Sequence, residues 1–179
     1  MTPSIELRIQ TMIKAMAEII LPAIGPGNDL AREQGQLMIA HLGLIARQWD
    51  KALAYDSLCL REMICLARKL CEDAAGGPQT TAAATALSAL LQGHASAGEL
   101  PTSLAKIKEV RVALAAGVDQ LVRATEVDST PAFHAASAKA IMDYATLQAW
   151  RDRVWFADAG MDPERASLPS IDAMLAQAK

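Results

Sequence analysis

Aromatic residues are scarce in this 179-residue chain, at 4% of the total, and no run of Lys or Arg stands out. With so few aromatics there is no platform on which single-stranded bases could stack. The net charge of −3 and the lack of a basic stripe disfavour duplex binding as well. The sequence therefore predicts no nucleic-acid partner, and its 52% hydrophobic content must come mainly from aliphatic side chains.

Long apolar runs are also missing. Nothing approaches the 18 uninterrupted apolar residues of a membrane-span candidate. The first 21 residues are interrupted by Glu6, Arg8, Lys14 and Glu18, which predicts an amphipathic helix and no signal peptide. An odd number of cysteines without an export signal fits a reducing compartment. We expect a cytoplasmic protein without a membrane partner.

Strand signals are absent: there is no alternating apolar pattern and no Asn-Gly or Asp-Gly hairpin turn. Apolar residues recur at helical spacing instead, between short turns. This predicts an all-α fold, a single-domain antiparallel bundle of about six helices over residues 1–179. Within it, the small-residue-rich segment 75–100 is expected to be a loosely packed helix plus a loop.

Caps and turn residues set the expected helix boundaries. Thr2 and Pro3 should start the first helix, and Thr130 should cap the sixth. A bend at Tyr55–Ser57 should separate the second and third helices, because one helix over 28–74 would be about 70 Å long. The expected helices are 2–21, 28–50, 56–74, 81–92, 102–125, 130–159 and a short one at 169–178.

Locally recognisable catalytic and metal-binding motifs are missing. There is no Glu-x-x-His, His-Glu-x-x-His or Cys-x-x-Cys, no glycine-rich phosphate loop and no Gly-x-Ser-x-Gly. We therefore expect no metal and no cofactor, and the chain leans away from being an enzyme. An active site assembled from distant residues is still compatible with the sequence.

Helix 2 carries Gln34, His41 and Gln48 seven residues apart within an apolar arc. That arc is expected to be buried, and polar groups on a buried face need partners. One interpretation is a helix–helix seam in which these side chains bond internally and fix the register. The other is a pocket in which His41 acts as acid, base or ligand anchor. The apolar arc comprises Leu30, Leu37, Met38, Leu44 and Ile45.

Helix 6 carries a second polar stripe of Tyr144, Gln148 and Arg151. Arg151 could clamp a carboxylate or phosphate, or it could pair with a nearby acid or extend to the surface. Arg111, at the edge of helix 5, has the same two interpretations. If helices 2 and 6 face each other, their stripes would form one pocket for a small anionic ligand.

A further apolar stripe on helix 6 consists of Leu147, Trp150 and Val154. One helix with two apolar faces is either sandwiched between others or meets a partner chain. This stripe, together with Cys65, is our candidate interface for a homo-oligomer, most simply a dimer.

The three cysteines, Cys59, Cys65 and Cys71, are spaced six residues apart on one helix. Each step turns the direction by about 120° and rises about 9 Å. They can therefore share neither a metal nor a disulfide. Cys59 and Cys71 fall at the edges of the apolar arc and are expected in the core, whereas Cys65 is expected on the opposite face.

Three functional hypotheses follow. The first is a non-catalytic helical-bundle protein that acts through self-association or through binding another protein. The alternative is a small-molecule binding protein or enzyme, with its site between helices 2 and 6. The weakest is a ligand-sensing regulatory domain, since no basic DNA-reading helix is present.

Overall fold

The computed structural model describes residues 2–95 and 100–177, and the fold in those ranges is all-α without strands. This confirms the predicted fold class, with seven helices in the described part where about six were expected. The helices are α1 Ile5–Ala15, α2 Asp29–Gln48, α3 Ala52–Glu72, α4 Pro78–Ala95, α5 Leu104–Asp128, α6 Pro131–Trp155 and α7 Ile171–Gln177.

The N-terminal caps of α6 and α1 can be compared with the helix starts predicted from the sequence. Thr130 caps α6 as predicted, since its hydroxyl accepts the backbone N–H of Phe133 at 3.2 Å. The prediction for α1 is wrong by two residues: Ser4, not Thr2, accepts the N–H of Leu7 at 3.2 Å. Both serine and threonine serve as N-caps, so composition alone could not choose between them.

A wide π-helical turn, Met16–Ile20, follows α1 and leads into the short α-helical segment Leu21–Ala23. Pro22 lies in that segment. A proline ring clashes with the carbonyl four residues earlier, and a π turn widens the helix at that point. The helix can thus continue past Pro22 before the turn at residues 24–28.

The break between α2 and α3 lies at residues 49–51, earlier than the predicted bend at Tyr55–Ser57. Asp56, in the middle of the predicted bend, lies inside α3. Its carboxylate accepts a hydrogen bond from Arg111 of α5 at 3.0 Å. Asp56 therefore serves a tertiary contact within the helix and does not mark a break in it.

The chain divides into two compact units. Unit 1 comprises Met1–Lys51 and Asp152–Ile171, and unit 2 comprises Ala52–Arg151 and Asp172–Lys179. The boundaries fall between α2 and α3, inside α6 and at the start of α7. A single domain over the whole chain stays a prediction.

Unit 2 contains the main hydrophobic core, built from α3, α4, α5 and α6. The small-residue-rich segment contributes α4, on which Thr80 and Leu87 are fully buried; residues 96–99 lie outside the described ranges. Gly117 of α5 faces α4 closely, since a Cβ there would lie 2.8 Å from a methyl of Leu87. Fully buried side chains of this core include Leu60, Leu70, Leu87, Ile107 and Leu114.

Unit 1 consists of α1, its π-helical continuation, α2 and residues 152–171. The two helices pack where Gly35 of α2 meets the end of α1: a Cβ at Gly35 would lie 2.5 Å from Leu21 Cδ2. Among the apolar side chains described in unit 1, only Ile9, Val154 and Trp155 are buried. Unit 1 therefore has little core of its own.

Candidate functional site

The apolar arc of α2 that the sequence predicts to be buried faces solvent instead. Leu30 is 71% exposed, Met38 53% and Ile45 47%. The helix packs through a different side, on which Gly35 is buried and Ile39 and Leu42 are half-buried. At about 100° per residue the two sides are separated by about 120°.

The sequence held a signal for this second side, because Gly35, Ile39, Leu42 and Ala46 also recur at helical spacing. A helical wheel shows two apolar sectors on α2. It does not show which of them α1 covers. The assignment of the burying side was therefore wrong for a reason that lies in tertiary packing.

The apolar residues of α1 recur at helical spacing, but only some of them are buried. Ile9 is buried, and Ile13 and Met16 are half-buried, but Ile5 and Met12 are exposed. Ile20 is likewise exposed in the π-helical turn. Gly35 of α2 has no side chain, so α2 packs closely on α1 and its continuation. Only a narrow strip of α1 is buried in this contact.

Together these side chains form what we call the N-terminal apolar face. Its large exposed members are Ile5, Met12, Ile19, Leu30, Leu37, Met38 and Ile45. Extended apolar patches on a protein surface mark interaction sites, whereas single exposed apolar residues need no explanation. The charges of residues 1–51 are balanced, with five basic and five acidic side chains.

The polar stripe of α2 lies within this face. Gln34 and His41 are exposed, and neither side chain has a hydrogen-bond partner among the described residues. Gln48 is different: it is half-buried, and its Nε2 donates to the backbone carbonyl of Trp155 at 2.7 Å. Gln48 therefore fastens α2 to the C-terminal segment of unit 1, while Gln34 and His41 point outward from the apolar surroundings.

The polar residues of α6 are bonded inside unit 2. Gln148 Nε2 donates to the Tyr55 hydroxyl at 3.3 Å and lies 3.5 Å from Cys59 Sγ. Arg151 is 6% exposed and pairs with Glu62 at 3.1 Å. Tyr144 packs half-buried against the core.

Arg151 and Arg111 thus both have acidic partners on α3, in agreement with the structural alternative for each. The stripe with Gln34, His41 and Gln48 belongs to unit 1, and the stripe with Tyr144, Gln148 and Arg151 belongs to unit 2. A pocket formed by both stripes stays a prediction.

The four candidate interface residues, three on α6 and Cys65 on α3, differ in their exposure to solvent. Val154 is 2% exposed and Trp150 is half-buried, whereas Leu147 is exposed. Leu147 and Cys65 line a shallow groove of about 280 Å³ between α3 and α6. Leu147 and Cys65 are thus the exposed members of the four, Trp150 is partly accessible and Val154 is buried.

The cysteine assignments from the helical wheel are confirmed: Cys59 is buried, Cys71 half-buried and Cys65 exposed. Burial raises the pKa of the Cys59 thiol, against smaller opposing effects that begin with the Gln148 hydrogen bond. Burial also raises the pKa of Cys71, with Glu72 adding to the effect. The thiols of Cys59 and Cys71 are therefore poor nucleophiles at neutral pH.

A second groove, of about 570 Å³, lies between α3 and α5. Its apolar lining includes Met63, Leu104 and Val112, and its charged lining is Asp56, Lys108 and Arg111. Asp56 and Arg111 neutralise each other, which leaves Lys108 as an additional positive charge at the groove.

In the described ranges no group of three His, Cys, Asp or Glu side chains is arranged to hold a metal ion. Within the same ranges no helix has the length and hydropathy needed to cross a membrane. No family model matches the chain, and no curated protein or solved structure proved similar to it.

Proposed function

We propose that this protein acts without catalysis, by binding a protein chain in the cytoplasm through the N-terminal apolar face. The observation that supports the proposal is the exposure of the α2 arc that has the sequence pattern of a buried surface. Leu30, Met38 and Ile45 lie along it, each about half exposed or more.

The energetic argument concerns unit 1. Fully burying one large aliphatic side chain contributes about 1.5–3 kcal/mol. Burying several of them on a partner can exceed an association cost of roughly 4–15 kcal/mol. Because unit 1 buries so few apolar side chains by itself, a partner would supply the core that it lacks.

The chemistry of the face favours a protein over a membrane surface. Interfacial membrane helices are rich in Lys and Arg on the polar side and in Trp and Phe on the apolar side. Residues 1–48 contain no Trp, Phe or Tyr, and their basic and acidic residues are nearly balanced. Aliphatic faces of this kind pack against other helices.

The test is site-specific photo-crosslinking in living cells. A photoreactive amino acid replaces Leu37 in the face, and in a matched variant it replaces Val127, an exposed apolar residue of α5. We expect one crosslinked protein product of defined mass from position 37 and none from position 127. Equal yields at the two positions, or no product at 37, would refute a protein-binding role for this face.

A second candidate is binding of an anionic amphiphile in the groove between α3 and α5. The apolar lining together with Lys108 favours a ligand with an aliphatic tail and a carboxylate. Calorimetric titration with decanoate checks this. Binding by the wild type and its loss in Lys108→Glu would support the groove, whereas equal heats for both proteins would count against it.

A further inference from the structure

The exposed arc of α2 has the spacing of a coiled-coil seam. Leu30, Leu37 and Leu44 are seven residues apart, and the stripe of Gln34, His41 and Gln48 alternates with them at steps of four and three. One row of this heptad spacing is polar throughout, whereas both seam positions of a regular coiled coil are apolar. The apolar residues beside the polar row are Leu30, Leu37, Met38 and Ile45, all exposed.

We infer that the partner is a second copy of this chain, and that the two α2 helices pair antiparallel about a two-fold axis between Leu37 and Met38. The inference rests on the proposed function, because it names the occupant of the same face. An axis at this point sets Leu37 against the partner's Met38 and Leu30 against the partner's Ile45. It also sets Gln34 against the partner's His41.

The self-complementarity of the arc supports this register. Every exposed apolar residue of α2 from 30 to 45 that belongs to the arc meets an apolar residue. Gln34 meets the partner's His41, and by symmetry His41 meets the partner's Gln34. An imidazole and a primary amide can exchange a hydrogen bond, so the two groups that have no partner among the described residues would satisfy one another.

A parallel pair fits less well. It would set His41 against the partner's His41 and Gln34 against the partner's Gln34, and it would align the two helix dipoles in the same direction. In the antiparallel pair each helix terminus lies beside the oppositely polarised terminus of its neighbour. The geometry therefore favours the antiparallel arrangement.

The face on α1 extends the same contact. Ile5, Met12 and Ile19 are seven residues apart and exposed. They flank the contact strip around Ile9 and can pack on the second copy beside α2. Two helical pairs joined in this way make a four-helix bundle, the arrangement in which short amphipathic helices find a sufficient core.

The balanced charge of residues 1–51 is compatible with two identical surfaces meeting. A face with an excess of one sign would repel its own copy and select an oppositely charged partner. Here the five basic and five acidic side chains cancel. The charge of the face therefore does not oppose association of two copies.

Disulfide trapping tests the register. In a Cys65→Ser background, Gln34→Cys and His41→Cys are made singly and together, and the purified proteins are oxidised and run without reductant. We expect a covalent dimer from the double variant and from a mixture of the two single variants. Neither single variant alone should give one, because equivalent residues would lie about 10 Å apart along the axis.

A parallel pair would give the opposite result, with dimers from each single variant alone, and that would overturn the inferred register. Within one chain, positions 34 and 41 are also about 10 Å apart, which prevents an internal disulfide from consuming the thiols. No dimer from any variant would likewise contradict the antiparallel pair.

Sedimentation equilibrium separates this inference from the proposed function. Leu37→Glu should weaken the dimer roughly a hundredfold, since it buries a charge in the seam, while Val127→Glu leaves it unchanged. Circular dichroism checks that both variants stay helical. A wild-type protein that is monomeric at all concentrations, yet crosslinks from position 37 in cells, would overturn the second copy and leave the proposed function standing.

Discussion

Gly76 and Ser129 lie opposite each other in an isolated antiparallel bridge. The Gly77 N–H donates to the carbonyl of Asp128 at 2.8 Å, and the Thr130 N–H donates to the carbonyl of Ala75 at 2.9 Å. The bridge joins the connection between α3 and α4 to the connection between α5 and α6. Backbone hydrogen bonds thereby join two helical pairs of unit 2 at one end.

Replacing Gly76 by alanine should destabilise the protein. A Cβ at this position would lie 2.7 Å from Ser129 Cα and 2.7 Å from the Asp128 carbonyl oxygen. Backbone atoms cannot move aside as a side chain can, so we expect Gly76→Ala to lower the free energy of unfolding by about 1–3 kcal/mol. Gly25→Ala is the matched control, since a Cβ there meets nothing within 4 Å. Equal stabilities of the two variants in urea denaturation would disprove the clash.

Acid should remove one specific stabilising contact at the start of α4. The Asp128 carboxylate accepts hydrogen bonds from the Thr80 hydroxyl at 2.7 Å, the Thr80 N–H at 2.9 Å and the Gln79 N–H at 2.8 Å. These bonds, the Thr80 hydroxyl first, lower the pKa of Asp128. A lowered pKa in the folded state means that the stabilisation is present above the unfolded value of about 3.9 and is lost as the pH falls below it.

Asp128→Asn should therefore unfold at a lower temperature than the wild type at pH 6, and the difference should shrink between about pH 4 and pH 2. Asp143→Asn on the exposed side of α6 controls for the loss of one negative charge. Thermal unfolding followed by circular dichroism across this pH range checks the prediction. A difference in Tm that stays constant down to pH 2 would show that the charge of Asp128 does not contribute.

The three thiols should react in a defined order. Cys65 is exposed, whereas burial protects Cys59 and Cys71 and raises the pKa of both. With iodoacetamide at pH 7.5 we expect Cys65 to be modified first, and Cys65→Ser to abolish the fast phase. Peptide mass spectrometry gives the modified fraction of each thiol. If Cys59 were modified as fast as Cys65, the described packing of α3 would be wrong.

Arg151 and Glu62 form a buried ion pair. Removing the charge of Glu62 should destabilise the protein more than removing the charge of Arg151. Glu62→Gln leaves a buried guanidinium without its counter-charge and should cost about 1–3 kcal/mol. Arg151→Met leaves a carboxylate whose side chain is 33% exposed and can be hydrated, so we expect a smaller loss. Asp73→Asn, which breaks the exposed pair with Lys69, should change stability by less than about 1 kcal/mol. Equal losses for Glu62→Gln and Arg151→Met would contradict the burial of Arg151.

Helical periodicity was sufficient to predict the fold class and to separate the exposed Cys65 from the more buried Cys59 and Cys71. Both predictions follow from the rotation of about 100° per residue in an α-helix. It could not predict which apolar side of α2 is covered, since that depends on where α1 packs. Periodicity could not predict the acidic partner of Arg151 either, because Glu62 lies on another helix. The bend predicted at Tyr55–Ser57 was wrong for the same reason, because Asp56 lies within α3 and pairs with Arg111 of α5.

Unit 1 combines two segments that are far apart in sequence, 1–51 and 152–171, and this has a consequence during translation. Gln48 and the Trp155 carbonyl that accepts its hydrogen bond are separated by 107 residues, and Arg47 pairs with Asp158 further on. At a synthesis rate of 5–20 residues per second, α2 waits roughly 5–20 s on the ribosome for these contacts. In the nascent chain α2 therefore lacks both contacts until residues 155 and 158 have been synthesised.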